Sequence, residues 1–176
     1  MKKEKLKKEL LSSIRAIVIA IVLGIIINST LIVSAQVISA SMENTIMTNS
    51  RVAGLRISYI FNEPNRFDII LFNPPDEDSD IPYVKRIIGL PNEKVDIIDG
   101  KVFINDSTIP LDDSFIKGIA RGNFNSFYIP DNCFFVMGDN RNGSVDSRHW
   151  NNSFVSRDNI IAKLYIEYFP KPRILG

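Results

Sequence analysis

One cysteine and one histidine occur in the 176 residues. A lone Cys133 excludes an internal disulfide framework, and one Cys with one His excludes a Cys/His metal cluster. A Ser-His-Asp triad could draw only on His149, and a Cys-His dyad only on Cys133 with His149. An excess of charge is missing too. Lys+Arg is 21 and Asp+Glu 20, net +1, which argues against nucleic-acid binding through overall basicity. Internal repeats and low-complexity tracts are absent. With 45% hydrophobic and 23% charged residues, the chain is neither disordered nor collagen-like.

Charge is also absent locally: no charged residue occurs from Ala16 to Met42. Fourteen of the eighteen residues in Ala16–Val33 are Ala, Val, Ile or Leu. That is long enough to cross a bilayer, which takes about 20 apolar residues. Ahead of it, Lys2, Lys3, Lys5, Lys7, Lys8 and Arg15 against Glu4 and Glu9 give residues 1–15 a charge of +4, while the rest carries −3. The positive-inside rule then predicts a cytoplasmic basic tip (1–15), a transmembrane helix (16–36) and an extracytoplasmic β-rich domain (37–176). A cleavable secretory leader is the competing reading, because Val33-Ser34-Ala35 before Gln36 fits the small-residue rule. Both export the body. A buried core helix fits the flanking charge poorly.

After residue 40 no sustained 3.6-residue period appears. Short runs rich in Ile, Val, Phe and Tyr are punctuated by Pro, Gly, Asn and Asp, which predicts a mainly β domain with an antiparallel sheet. Strands are expected at 51–58, 67–72, 83–88, 94–98, 101–105, 125–129, 133–137 and 160–168. Asp99-Gly100 predicts a two-residue type I′ hairpin. Asn73–Pro82, with Asp76, Glu77, Asp78 and Asp80, reads as an acidic loop. Cys133 is expected as a buried thiol, His149 as a packing or surface residue, and Asp68 in a structural ion pair or cap.

Three segments concentrate reactive side chains: Ser39-Ala40-Ser41-Met42-Glu43-Asn44-Thr45, Tyr83-Val84-Lys85-Arg86-Ile87-Ile88-Gly89-Leu90-Pro91, and Gly138-Asp139-Asn140-Arg141-Asn142-Gly143-Ser144-Val145-Asp146-Ser147-Arg148. Each alone has an ordinary explanation as a turn or a solvated strand. Strand alternation puts Tyr83, Lys85 and Ile87 on one face and Val84, Arg86 and Ile88 on the other, so one of the two cations should face the core. A desolvated lysine loses basicity. At a pKa near 10.4 only about one amine in a thousand is neutral at pH 7.4, and a drop of about two units, costing about 2.7 kcal/mol, supplies a usable base. A neutral amine can deprotonate a serine without histidine.

These segments, in this order behind a membrane segment and with Arg66-Phe67-Asp68-Ile69-Ile70 between the first two, resemble the type I signal peptidases, membrane-bound Ser-Lys proteases of bacteria. The resemblance runs nearly the whole way from the anchor onward. It implies Ser41 as nucleophile, Lys85 as general base, and the Ser39 hydroxyl with the Ser41 N–H as oxyanion donors. It further implies that Ser144 orients the lysine amine and that Asp146 and Arg148 form a structural pair. Gly138, Asp139, Asn140 and Arg141 would shape the site, and Tyr83 and Val84, with Met42 beside the nucleophile, would meet an extended substrate strand. The Lys85 amine should sit about 2.6–3.2 Å from the Ser41 hydroxyl. The implied partners are signal-peptide-bearing preproteins and the lipid bilayer, with no nucleic acid, metal or cofactor. Two positions depart from the family pattern: Asn44 stands where Pro is usual, and Asn142-Gly143 where Asp-Asn is common. The alternatives are a self-cleaving Ser-Lys protease and an inactive β-rich module on a membrane stalk.

Overall fold

The structure is a computed structural model that describes residues 2–60, 62–75, 81–116 and 118–175; the side chains of residues 2–6, 8, 9, 26 and 28 lie outside that description. The acidic stretch 76–80 and most side chains of the basic tip are therefore not among the described parts.

Helix α1 (Lys2–Thr30) holds the apolar run. It stops at Ser29-Thr30, residue types that compete for backbone hydrogen bonds. The helix expected over 16–36 therefore ends at Thr30, and it starts well before residue 16. Ile32–Gln36 forms strand β1, in which Val33 is buried and packs with the core. Among the described residues no helix is long and apolar enough to cross a membrane.

Ten further strands follow: β2 (Arg51–Leu55), β3 (Ile69–Phe72), β4 (Tyr83–Gly89), β5 (Lys94–Ile98), β6 (Lys101–Ile104), β7 (Phe124–Tyr128), β8 (Cys133–Met137), β9 (Val155–Ser156), β10 (Ile160–Phe169) and β11 (Arg173–Ile174). All pairings are antiparallel. Eight strands form one sheet in the order β1-β2-β10-β3-β4-β8-β9, with β11 beside β10, and β6-β5-β7 form a second. Sequence patterning finds the eight longer strands after residue 50. It runs the first too far, because Arg56–Tyr59 turns into a 3₁₀ segment. It misses β1, β9 and β11, the last two of only two residues each. The Asp99-Gly100 turn has positive φ at both residues (50° and 75°), as a type I′ hairpin requires.

Register shifts bend β10 against both β2 and β3, and such bulges strengthen local twist. Gly54 makes the β2–β10 contact possible, since a Cβ there would lie 2.1 Å from the Lys163 carbonyl oxygen. Strand β3 is buried on both faces and divides the core. Ile69 and Leu71 join Val33, Val37, Met42, Ile46, Val52 and Leu164. Ile70 and Phe72 join Ile87, Phe134 and Val136. A third cluster, including Ile88, Val95, Ile97 and Phe135, fills the space between the sheets. Strand β4 lies between β3 and β8, so Lys85 and Arg86 are both buried, rather than only one of them.

Gly54→Ala is expected to destabilise the fold by about 2 kcal/mol or more, because the obstructing atom is backbone. Urea unfolding measures it, and an unchanged midpoint contradicts the close β2–β10 approach.

Candidate active site

Ser41 sits in a one-turn 3₁₀ segment, Ala40–Met42, entered from an extended Ser39 (φ −118°, ψ 156°). That geometry brings two hydroxyls together: Ser39 Oγ and Ser41 Oγ are 3.1 Å apart. The turn leaves this segment through Glu43 (φ −57°, ψ 147°) and Asn44 (φ 85°), with the Thr45 N–H donating to the Met42 carbonyl at 3.1 Å. This is a type II turn, whose third position needs positive φ. Asparagine tolerates that conformation, whereas the proline common in the family has φ fixed near −65°. Asn44 therefore closes the turn after Ser41.

The loop after β8 grips this segment from the other side. The Asn140 N–H donates to the Ser41 carbonyl at 3.1 Å, and Asn140 Nδ2 donates to the Ala40 carbonyl at 3.0 Å. Gly138 runs beneath it, where a Cβ would stand 2.4 Å from both Ser41 O and Ser144 Oγ. The Gly138 N–H donates to Asp146 Oδ2 at 2.9 Å. Arg148 closes on the same carboxylate through Nε (2.7 Å) and Nη2 (2.8 Å), and Nη2 also donates to the Arg141 carbonyl at 2.7 Å. Burial pushes the Asp146 carboxyl up, but the Arg148 guanidinium and the Gly138 N–H hold it below its ordinary value.

On β4 the two neighbouring cations are handled differently. Arg86 pairs with Asp139 through Nε (2.9 Å) and Nη2 (2.6 Å), donates to the Phe67 carbonyl, and stacks 4.3 Å from the Phe115 ring centroid. Lys85 is only 4% exposed and has no salt bridge among the described residues. Its amine lies 5.6 Å from the centroid of the Tyr83 ring. Burial draws it from 10.5 down to about 8; Asp146 pulls it up and Arg148 pushes it down. Arg148 offsets part of the pull from Asp146, so burial remains the largest influence on the amine.

The structure thus brings together Ser39, Ser41, Lys85, Ser144, Asp146 and Arg148, with Gly138, Asp139 and Asn140 shaping the floor. Three expectations need correction. No hydrogen bond joins the Lys85 amine to the Ser41 hydroxyl among the described residues; the hydroxyl turns to Ser39 instead. Ser144 Oγ makes no hydrogen bond to the Lys85 amine among the described residues and instead favours the charged form of Asp146. Met42 is fully buried in the core beneath the turn and does not face a substrate. Arg141 lies in the loop but turns inward, with Nη1 3.4 Å from Asp113 and with Nε and Nη2 buried and unpartnered.

An apolar groove of about 710 Å³ leads to Ser41. One wall is β1 and its continuation, including Val33, Ala35 and Val37; the other is the start of β4 with Pro82, Tyr83, Val84 and Lys85. Strand β8 pairs with β4 only from Arg86 onward. Sequence reasoning missed the first wall because Val33 and Ala35 fall within the helix expected over 16–36, and no strand is expected at Val37. Their alternation was the available signal. Elsewhere Asp68 bonds Lys163 (2.6 Å) and Tyr59 (2.8 Å) in a structural network, Cys133 is only half-buried, and His149 is exposed at the surface.

A long apolar groove along two strands that ends at a serine is the architecture of a peptidase cleft. Residues 10–169 match the family model described as "Signal peptidase, peptidase S26", and the chain belongs to that family. The membership makes it a serine endopeptidase, a hydrolase. It is 33% identical to "Probable signal peptidase I-2" of Synechocystis sp. over 91% of this chain and 73% of that protein. It is 34% identical to "Signal peptidase I" of Leptolyngbya laminosa over 97% of this chain and 85% of that protein. A crystal structure of a signal peptidase I from Enterococcus faecalis aligns with a TM-score of 0.45 at 30% identity, covering 58% of this chain and 97% of that one.

Gly138→Ala is expected to lower peptide cleavage by about 100-fold or more, since misplacing a reacting group by about an ångström costs that much. Circular dichroism should still show the β-fold. Wild-type activity in the variant contradicts the close packing under Ser41.

Proposed function

We propose that the chain is a membrane-anchored endopeptidase that removes N-terminal signal peptides from exported preproteins, with Ser41 as nucleophile and Lys85 as general base. The observation that carries this reading is a lysine amine kept dry and drawn to about 8, on the wall of the groove that holds Ser41. The names of the relatives point to the same substrates.

The substrate strand lies in the groove between the β1 wall and Val84–Lys85, where β4 has not yet met β8. Small side chains suit the shallow apolar walls. Neutral Lys85 takes the Ser41 proton as Oγ attacks the scissile carbonyl. The oxygen, now negative, receives the Ser41 N–H and the Ser39 hydroxyl, which is released from Ser41 Oγ as that atom becomes bonded. One such donor is worth about 10²–10³ in rate. The lysine ammonium passes its proton to the departing amine. Water, deprotonated by the same lysine, then releases the acyl group from Ser41.

Helix α1 supplies the anchor in this reading. Leu10, Leu11, Ile14, Ile17, Val18, Ile19, Ile21, Val22, Leu23, Ile25 and Ile27 are all exposed along it. A helix apolar on every side, with no protein covering it, calls for lipid. The basic start then lies in the cytoplasm and the β-domain at the outer face of the membrane.

Ser41→Ala should abolish cleavage of a preprotein without unfolding the domain. Lys85→Met should abolish it too while raising stability at pH 7 by about 3 kcal/mol, because the folded state no longer desolvates an amine. That gain is complete below about pH 8 and fades as the pH approaches 10.5, where unfolded lysine is neutral as well. Thermal melts across this range check the sign; an active Lys85→Met variant excludes the mechanism. For the wild type, kcat/KM should rise with pH through an apparent pKa near 8, as the neutral amine accumulates. A profile flat from pH 6 to 9 contradicts lysine as the base.

A further inference from the structure

A second cavity, about 410 Å³, adjoins the groove, and Gly143 and Val145 line both. Its character is opposite. Arg121, Arg141, Arg148 and His149 line it, and no acidic residue does among the described residues. Arg148 is committed to Asp146 and Arg141 reaches Asp113 with one arm. Arg121 is exposed and has no salt bridge among the described residues.

Arg121 is placed there by a departure from the family pattern. Asn142 Nδ2 donates to the Ile119 carbonyl at 3.0 Å, and its Oδ1 accepts from the Arg121 N–H at 3.1 Å. The two bonds need one donor and one acceptor on the same side chain. An amide has both, whereas a carboxylate has only acceptors. Asn142 thereby straps the 119–121 segment to the loop under Ser41 and sets Arg121 on the rim of the cavity.

The apolar groove takes the residues before the scissile bond, so the chain after the bond leaves past Gly143 and Val145. We infer that this cationic cavity binds an acidic side chain in the segment just downstream of the scissile bond, and that Arg121 is a specificity-determining residue for it. This inference rests on the peptidase reading above.

The test uses the detergent-solubilised full chain and a set of peptides that share one signal-peptide segment. Each carries Asp, Ala or Lys singly at one of the first four positions after the bond. At one of those positions the Asp peptide should exceed the Ala peptide in kcat/KM by about fivefold, the scale of one partly screened ion pair. The ratio should shrink as salt rises from 0.05 to 0.5 M. Arg121→Gln should bring it to about one. Arg121→Glu should invert it in favour of Lys at the same position, which a merely structural residue would not do. Equal Asp and Ala rates at all four positions, unchanged in Arg121→Glu, overturn this inference alone. A wild-type chain that cleaves no peptide overturns both readings. An Arg121 effect seen only when phosphatidylglycerol is added to the micelles overturns it in favour of a lipid headgroup.

Discussion

An ammonium group resists leaving water, and the architecture around Lys85 turns on that resistance. Two features keep the amine in place yet weakly basic. Strand β4 is flanked by β3 and, from Arg86 on, by β8, and the Lys85 side chain is only 4% exposed where it meets the groove. The nearest carboxylate, Asp146, is already saturated by Arg148 and the Gly138 N–H. An unpaired Asp146 would hold Lys85 charged. The ion pair offsets part of that attraction, and burial is the largest influence. The same arithmetic applies one residue on, where Arg86 is fully matched by Asp139 and contributes little net field.

The loop from Gly138 to Arg148 therefore serves two tasks at once. It settles the electrostatics of the lysine, and through Asn140 it fixes the backbone of Ser41. Both tasks need close packing, which is why a glycine lies between the two serines. A buried polar network of this kind is stable only when its members are satisfied. The exceptions are informative. Ser144 Oγ and two nitrogens of Arg141 are the buried groups of this loop left without partners among the described residues.

Much of this was legible from residues alone. Asp99-Gly100 fixes its hairpin through local chemistry, and β5 and β8 fall where the apolar runs fall. The Ser-x-Ser, Lys-Arg and Gly-Asp-Asn-Arg segments converge on one cleft. What failed had physical causes. Val33 and Ala35 alternate with Val37 like a strand, but they continue an apolar run and so read as helix as far as residue 36. The burial of both Lys85 and Arg86 depends on β8 covering β4, a long-range pairing invisible to local periodicity. Met42 adjoins the nucleophile in sequence, yet a 3₁₀ turn rotates it into the core. Asn44 and Asn142 looked like losses relative to the family pattern. In the folded chain one closes a turn and the other straps a loop.

The junction between α1 and β1 carries a mechanical consequence. Only Leu31 separates them; its N–H returns to the Ile27 carbonyl, and its own carbonyl receives the Arg56 N–H. Among the described strands β1 pairs only with β2, with Ser34 bonded to Tyr168 and Val33 packed in the core, and it forms one jaw of the cleft. Helix and jaw thus make a single crank with its elbow at Leu31. Leaning the helix would carry the jaw toward or away from the β4 side, so the angle at Leu31 and the width of the cleft are coupled.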